Sequence, residues 1–507
     1  MILIKNLKRI CLLFTVTIMC LNLNAQKESY NEPFRPQIHF TPAAHWMNDP
    51  NGMVYNEGVY HLFYQYYPDS SVWGPMHWGH ATTTDLIHWT HQPVALYPDS
   101  LGYIFSGSAV VDKNNTSGFG KNGKTPLVAI YTSHNSKDER EGKTDFERQA
   151  IAYSLNNGKT WTKYGGNPVL PNNGIRDFRD PKIMWYEKEK KWIMILAVKD
   201  HVSFYSSPDL KKWIQESDFG ADAGAHGGVW ECPDFFSMTY NGKSVWIVTV
   251  SVNPGAPNGG SGTQYFTGTF DGKTFTPNDT ETKWMDYGTD NYAGVTWSNT
   301  GNRRISLGWM SNWNYATKVP TEVWRSANTL PRELSLKTID DKFYLTSTPV
   351  KELEKIASPF KTLSNIKATD YTISGTETLA TPYRLTLATN ELADVTFAFS
   401  NAAGEKLTVG YDKNENQYFV DRTNTGESNF NKEFAARHIA PRLSRSKNIK
   451  LAIVIDASSI ELFADDGLTV MTDIFFPKSL LNKIQISSLN NLAIQTLRID
   501  KLNSIWK

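Results

Sequence analysis

Beyond its first 25 residues the chain has one cysteine, Cys232; the other two, Cys11 and Cys20, lie near the N-terminus. An internal disulfide in the body of the protein is therefore excluded. Neither sign of charge is in excess. Lys and Arg total 52 against 51 Asp and Glu, a formal charge of +1, with no basic stripe to neutralise phosphates and no acidic tail. That excludes nucleic acid as a partner. No stretch after residue 23 approaches the ~18 apolar residues of a membrane span, and helical periodicity is nearly absent from residue 34 to residue 336. Several catalytic signatures are missing as well. Phe105-Ser-Gly-Ser-Ala109 lacks the strand-turn-helix elbow of serine hydrolases. Gly259-Gly-Ser-Gly262 lacks the lysine of a phosphate-binding loop. His77 and His80, in a strand-rich region, point to opposite faces with no Cys or Glu nearby to complete a zinc set. No metal or cofactor is expected.

Lys5, Lys8 and Arg9 precede an apolar run over residues 10–23 and then Asn24, Ala25 and Gln26, the pattern of a secretory signal peptide over residues 1–25. Export follows, to the periplasm, the cell surface or the medium. Cleavage near Ala25 is favoured. The alternative, a lipid anchor at Cys20, would place the bulky Met19 where such processing prefers a small residue.

At 507 residues the chain is long enough for two large domains or three small ones. From residue 34 to about 345, short apolar or aromatic runs such as 59–66, 127–132, 192–198 and 244–250 are separated by Gly, Asn, Asp and Pro, which reads as many short strands. A weak echo runs through them: Asp85-Leu-Ile-His-Trp89, Asn157-Gly-Lys-Thr-Trp161, Asp209-Leu-Lys-Lys-Trp213 and Asp271-Gly-Lys-Thr-Phe275. Such a turn before an aromatic, recurring at about the length of a four-stranded blade, is compatible with a β-propeller of about five units, although such turns occur in any all-β protein. Residues 346–363 read as a connector with one helical turn. Residues 364–507 alternate more cleanly, for example at 383–387, 449–455 and 460–463, as in a β-sandwich. This second region shows no concentrated set of histidines or carboxylates in apolar settings and is assigned a supporting role.

Three carboxylates stand in unusual contexts. Asp49 lies in Trp46-Met-Asn-Asp-Pro-Asn-Gly52, which taken singly is a strong turn signal. Asp180 lies in Phe178-Arg-Asp-Pro-Lys182, which taken singly is a surface turn with an Arg179 ion pair. Glu231 lies between Val229-Trp230 and Cys232-Pro233, which predicts a carboxyl group near apolar surface and thus a raised pKa suited to a general acid. Together they meet the needs of glycoside hydrolysis: an acid that protonates the leaving oxygen, a carboxylate opposite it, and a third carboxylate to hold sugar hydroxyls. Inner strands of a propeller converge on one channel, so wide sequence spacing is no obstacle. The 16 Trp and 23 Tyr suit the apolar faces of sugars.

At these residues the chain resembles glycoside hydrolase family 32, the group of invertases, inulinases and levanases, and among them the bacterial levanases, over nearly its whole length. The resemblance implies Asp49 as nucleophile, Asp180 as transition-state stabiliser and Glu231 as acid/base. Phe63-Tyr-Gln65, Trp73-Gly-Pro-Met-His-Trp78 and Phe105-Ser-Gly-Ser108 add to it and imply sugar contacts by Asn48, Gln65, Trp73, Phe105, Ser106 and Arg179. It further implies a five-bladed β-propeller followed by a β-sandwich, whose signature is Ile455-Asp-Ala-Ser-Ser-Ile-Glu-Leu-Phe463. One departure is Asn291, where the family usually has an aromatic, which predicts an altered pocket rim. The expected function is retaining hydrolysis of β-fructofuranosyl linkages in a fructan such as levan, by a monomer. An endo-acting levanase, an inulinase or sucrase, a fructosyltransferase, a fructan-binding protein without catalysis and an arabinan- or xylan-cleaving relative are the alternatives. Linkage preference and exo or endo cleavage stay open at this point.

Overall fold

The computed structural model describes residues 30–506. The expected signal peptide, with Cys11 and Cys20, lies outside the described residues. Five sheets, antiparallel except where Trp324–Arg325 adds a short parallel edge to the first, follow one another along the chain, and a ten-stranded set of strands closes it. The innermost strands of the five blades are His45–Asn56, Tyr103–Val111, Phe178–Tyr186, Val229–Tyr240 and Tyr292–Thr296. Main-chain bonds from Tyr55 to Ser298 and from Ser298 to Met53, each 3.0 Å, close the ring between the first and fifth blades. Blades sandwiched between neighbours bury both faces of their strands, which explains the continuous apolar run over residues 127–131 in strand Leu127–His134, buried at every position.

The echo has a structural meaning. Each of its copies is the hairpin between the third and fourth strands of a blade. Asp85, Asp209 and Asp271 each accept two main-chain N–H bonds from the residues two and three further on, the Asx-turn that a short polar side chain makes. The next residue takes positive φ: Leu86 at 64°, Leu210 at 64° and Gly272 at 106°.

Within residues 346–363, strand Lys342–Pro349 finishes the fifth blade, Lys351–Ile356 forms a 3-10 helix, and strand Ala357–Thr372 opens the sandwich. That strand and Lys483–Leu502 pair along most of their length and pass between both layers: the first half of Lys483–Leu502 pairs with Val395–Ser400 and the second half with Tyr383–Thr389.

The reading of the second domain as holding no concentrated set of histidines or carboxylates in apolar settings is overturned. Asp456, Glu461 and Asp473 are fully buried where the sandwich meets the propeller. Arg332 donates to Asp286 at 2.8 Å and to Glu461 at 2.7 Å, and His39 joins Asp456 at 2.7 Å and Glu461 at 2.9 Å. Strand Ser459–Ala464 explains why: Ile460 and Leu462 pack into the sandwich core, whereas Phe463 packs into a cluster shared with the propeller. Both faces are covered, so Glu461 is buried and paired.

Candidate active site

All five innermost strands carry the same irregularity at the same height. Two residues face one across the pairing with the next strand: Asn48 and Asp49 opposite Gln65, Phe105 and Ser106 opposite Thr132, Asp180 and Pro181 opposite Leu196, Cys232 and Pro233 opposite Val250, Ala293 and Gly294 opposite Gly308. A β-bulge bends its strand and re-aims side chains, and five of them around one axis turn neighbouring side chains toward a common point. The local sequences suit this. Proline lacks the N–H that a regular ladder requires and is tolerated at bulges, which accounts for Asp49-Pro50, Asp180-Pro181 and Cys232-Pro233. Asp180 and Cys232 sit at φ 62° and 46°, a region that Asp tolerates better than most residues.

The bulges open onto a cavity of about 300 Å³ lined by the nine residues given a catalytic or sugar-binding role: Asn48, Asp49, Gln65, Trp73, Phe105, Ser106, Arg179, Asp180 and Glu231. Ser106 donates to Asp49 at 3.0 Å, and the Cys232 thiol approaches the same oxygen at 3.4 Å. The Cys232 N–H donates to Asp180 at 2.9 Å, and the Asp180 N–H donates to Thr132 at 3.0 Å. Arg179 donates to Glu231 at 3.2 Å and is held from behind by Asp177 at 2.8 Å and Glu147 at 3.2 Å. Tyr292 donates to the other oxygen of Glu231 at 2.5 Å.

Two expectations are corrected here. The Glu231 carboxyl group does not face apolar surface; Trp230 turns into the core, and Glu231 meets the Arg179 guanidinium and the Tyr292 hydroxyl. Asn291 is not on the pocket rim. It is buried and donates to Asp286 at 3.1 Å, its other side facing Gly308. The rim is built instead by Trp73, Phe146, Glu139 and Trp313.

Burial pushes Asp49 above the usual carboxylate range and the Glu231 charge adds to it, opposed by bonds from Asn48, Ser106 and Cys232. Burial also raises Asp180, to about 7, with Glu231 and Asp49 reinforcing and Arg179 opposing. Glu147 goes the other way: burial disfavours its charge, but Arg179 and His134 hold it down to about 2. The site is thus a set of like charges sharing one cavity, in which a proton on one carboxyl group favours ionisation of the next. Ser106 is a direct probe of this balance. Ser106→Ala is expected to lower kcat about tenfold, the value of one hydrogen bond to a charged group, and to move the low-pH limb of the rate profile upward; an unchanged profile by initial-rate assay from pH 4 to 8 contradicts it.

The sequence reading did not single out Tyr292, Glu147, Asp177, His134 or Trp313. Among these only Tyr292 had a local signal, two residues after Asp290 at the start of an inner strand.

Comparison with known proteins agrees with this geometry. The family model for the N-terminal domain of glycosyl hydrolases family 32 matches residues 39–349, and that for the C-terminal domain matches residues 348–502. A levanase of Bacillus subtilis (strain 168) is 47% identical over 519 residues, covering 99% of this chain and 76% of the relative. An extracellular exo-inulinase of Aspergillus niger is 39% identical, covering 98% of this chain and 99% of the relative. The crystal structure of exo-inulinase from Aspergillus awamori superposes with a TM-score of 0.85 at 38% identity, covering 94% of this chain and all of that one. With its propeller, its sandwich and three carboxylates at or next to the bulges of three inner strands, this chain belongs to glycosyl hydrolase family 32.

Proposed function

We propose that the protein is an exported exo-acting fructosidase that removes terminal fructose from a fructan, with levan preferred, by a double displacement. The observation that carries the reading is the convergence of Asp49, Asp180 and Glu231 on one cavity. Glu231 gives its proton to the glycosidic oxygen while an Asp49 oxygen attacks C2 and the C2–O bond breaks, leaving a fructosyl ester on Asp49. Water then gives a proton to Glu231 and attacks C2, which frees Asp49. A proton on Glu231 removes the charge that otherwise opposes ionisation of Asp49, so the two groups take complementary states before attack. Asp180 stabilises the charge that develops on the sugar ring. Asn48, Gln65, Trp73, Phe105 and Ser106 hold the sugar, and Arg179 fixes Glu231. Asp49 Oδ1 and Gln65 Nε2 are buried without a hydrogen-bond partner among the described residues, which suits them to bond sugar hydroxyls.

The small cavity, walled by Phe146, Glu139, Trp73 and Trp313, supports attack at a chain end, since an internal bond would need a cleft open at both ends. Levan is favoured over inulin by the levanase relative at 47% identity. The relationship to an extracellular exo-inulinase supports export. The deciding experiment is a product time course by chromatography with levan, inulin and sucrose supplied separately. Free fructose alone from the earliest points, fastest from levan, is expected. A ladder of oligosaccharides would replace the exo reading with an endo one, and no product from any substrate would sink the catalytic reading.

A further inference from the structure

The acid/base group is held in part by the sandwich domain, through the propeller segment that leads into the fifth inner strand. Residues 286–290 run along the last edge strand of the sandwich, Thr469–Ile474. Tyr287 N–H donates to Val470 O at 2.8 Å and Asp290 N–H donates to Thr472 O at 3.0 Å. Thr472 donates to Asp286 through its N–H at 2.8 Å and its hydroxyl at 2.6 Å, and Ile474 N–H donates to Asp290 at 3.0 Å. The approach is so close that a Cβ on Gly288 would lie 2.1 Å from Thr472 O, which requires glycine there.

The two aspartates are then locked by arginines. Arg332 donates to Asp286 at 2.8 Å, and Arg422, from the sandwich, donates to Asp290 at 2.6 Å. Tyr315 donates to the second Asp290 oxygen at 2.6 Å, and Asn312 donates to Thr289 O at 2.8 Å. Trp313 of the pocket rim lies between them in sequence. Two residues beyond Asp290 is Tyr292, fully buried, with its hydroxyl 2.5 Å from Glu231.

We infer that the sandwich is a working part of the acid/base centre: Asp286 and Asp290, clamped by Arg332, Arg422 and Thr472, are positioning residues that hold Tyr292 where its hydroxyl donates to Glu231. The inference rests on the role given to Glu231 above. Among the described residues the other charged or titratable groups acting on Glu231 are Arg179, with Asp177 and Glu147 behind it, Asp49, Asp180 and Cys232; none of them touches the clamp, so a change made at Asp290 reaches Glu231 through Tyr292.

The test is a double-mutant cycle on the full-length protein. Tyr292→Phe removes a hydrogen bond to a charged group and is expected to lower kcat on levan by about 10- to 100-fold and to move the high-pH limb of kcat/KM to higher pH. Asp290→Asn places an amide N–H or a weaker acceptor against donors from Arg422, Thr289 and Ile474. It is expected to move the same limb in the same direction, with a smaller loss of kcat, and the double variant is expected to be no slower than Tyr292→Phe alone. Thr472→Val, which removes one donor to Asp286, gives the same readout if Asp290→Asn does not fold. A folded Asp290→Asn or Thr472→Val with the wild-type limb, or effects that multiply in the double variant, overturns the inference and assigns the clamp to stability alone. An unchanged limb in Tyr292→Phe also overturns it, and then the fault lies in the role given to Glu231.

Discussion

Asp49→Asn is expected to lower turnover on fructan by at least about 10⁴-fold, as removal of a nucleophile does elsewhere, while the variant melts at or above the wild-type temperature. The loss follows from chemistry. An amide cannot form the ester that the first displacement requires, and no other carboxylate can take its place, because Asp180 is fixed by Cys232 N–H and Glu231 is engaged by Arg179 and Tyr292. The gain in stability follows from electrostatics. Burial and the Glu231 charge both disfavour ionised Asp49, so the native protein holds a charge in a place that opposes it. Active sites commonly trade stability for activity in this way. The shape is kept, since Ser106 can still donate to the amide oxygen. Initial rates with levan, beside a thermal melt and sugar binding by fluorescence of the Trp-rich pocket, check both halves together. Turnover near the wild-type level rules out Asp49 as nucleophile; a lower melting temperature shows that its charge is stabilised by contacts other than those described.

How much of this was legible in the sequence depends on where the signal resides. The Asx-turn echo marks one hairpin in each of four blades because its cause is local: in three of them an aspartate accepts the N–H groups two and three residues further on. The Asp-Pro and Cys-Pro pairs are local too. They report that the strand breaks its ladder there, and the bulges at Asp49, Asp180 and Cys232 are the consequence. Glu147 left no such mark. Glu147 comes from the second blade and acts on Arg179 of the third, and nothing within either segment announces the pairing. Trp230 beside Glu231 misled in an instructive way. Alternate residues of a strand face opposite sides, so an apolar neighbour in sequence says where Glu231 does not point. The same alternation hid the role of the second domain: Glu461 stands between core residues Ile460 and Leu462, and only the docked propeller turns its outward position into a buried one.

That buried interface sets the second large effect. Arg332→Met is expected to destabilise the protein by about 3–5 kcal/mol, because removing one partner of a buried ion pair leaves its carboxylates uncompensated; here both Asp286 and Glu461 lose their bonds to it. A loss of unfolding free energy below about 1 kcal/mol by denaturant titration would show that the carboxylates are served by their other donors. The same cluster predicts how stability depends on pH. Burial opposes a charge on His39, yet bonds to Asp456 and Glu461 lift it from the ordinary 6.5 to about 9. A raised folded-state value contributes stability that is complete below about 6.5 and lost as pH climbs through 9. Glu461 is the mirror case. Burial disfavours its charge, but Arg332 and His39 hold it at about 2, so its contribution is complete above the ordinary 4.5 and lost as pH falls toward 2. In the first blade, burial drives His61, stacked beside His80, down to about 4. Unfolding then takes up a proton between 6.5 and 4, which weakens the fold as the solution is acidified through that window. Stability should therefore be greatest near neutral pH and fall on both sides for different reasons, and His39→Gln separates them: lower stability at pH 6 than the wild type, but a loss of the alkaline slope between 6.5 and 9. An alkaline slope that survives unchanged in His39→Gln would place its origin outside this interface.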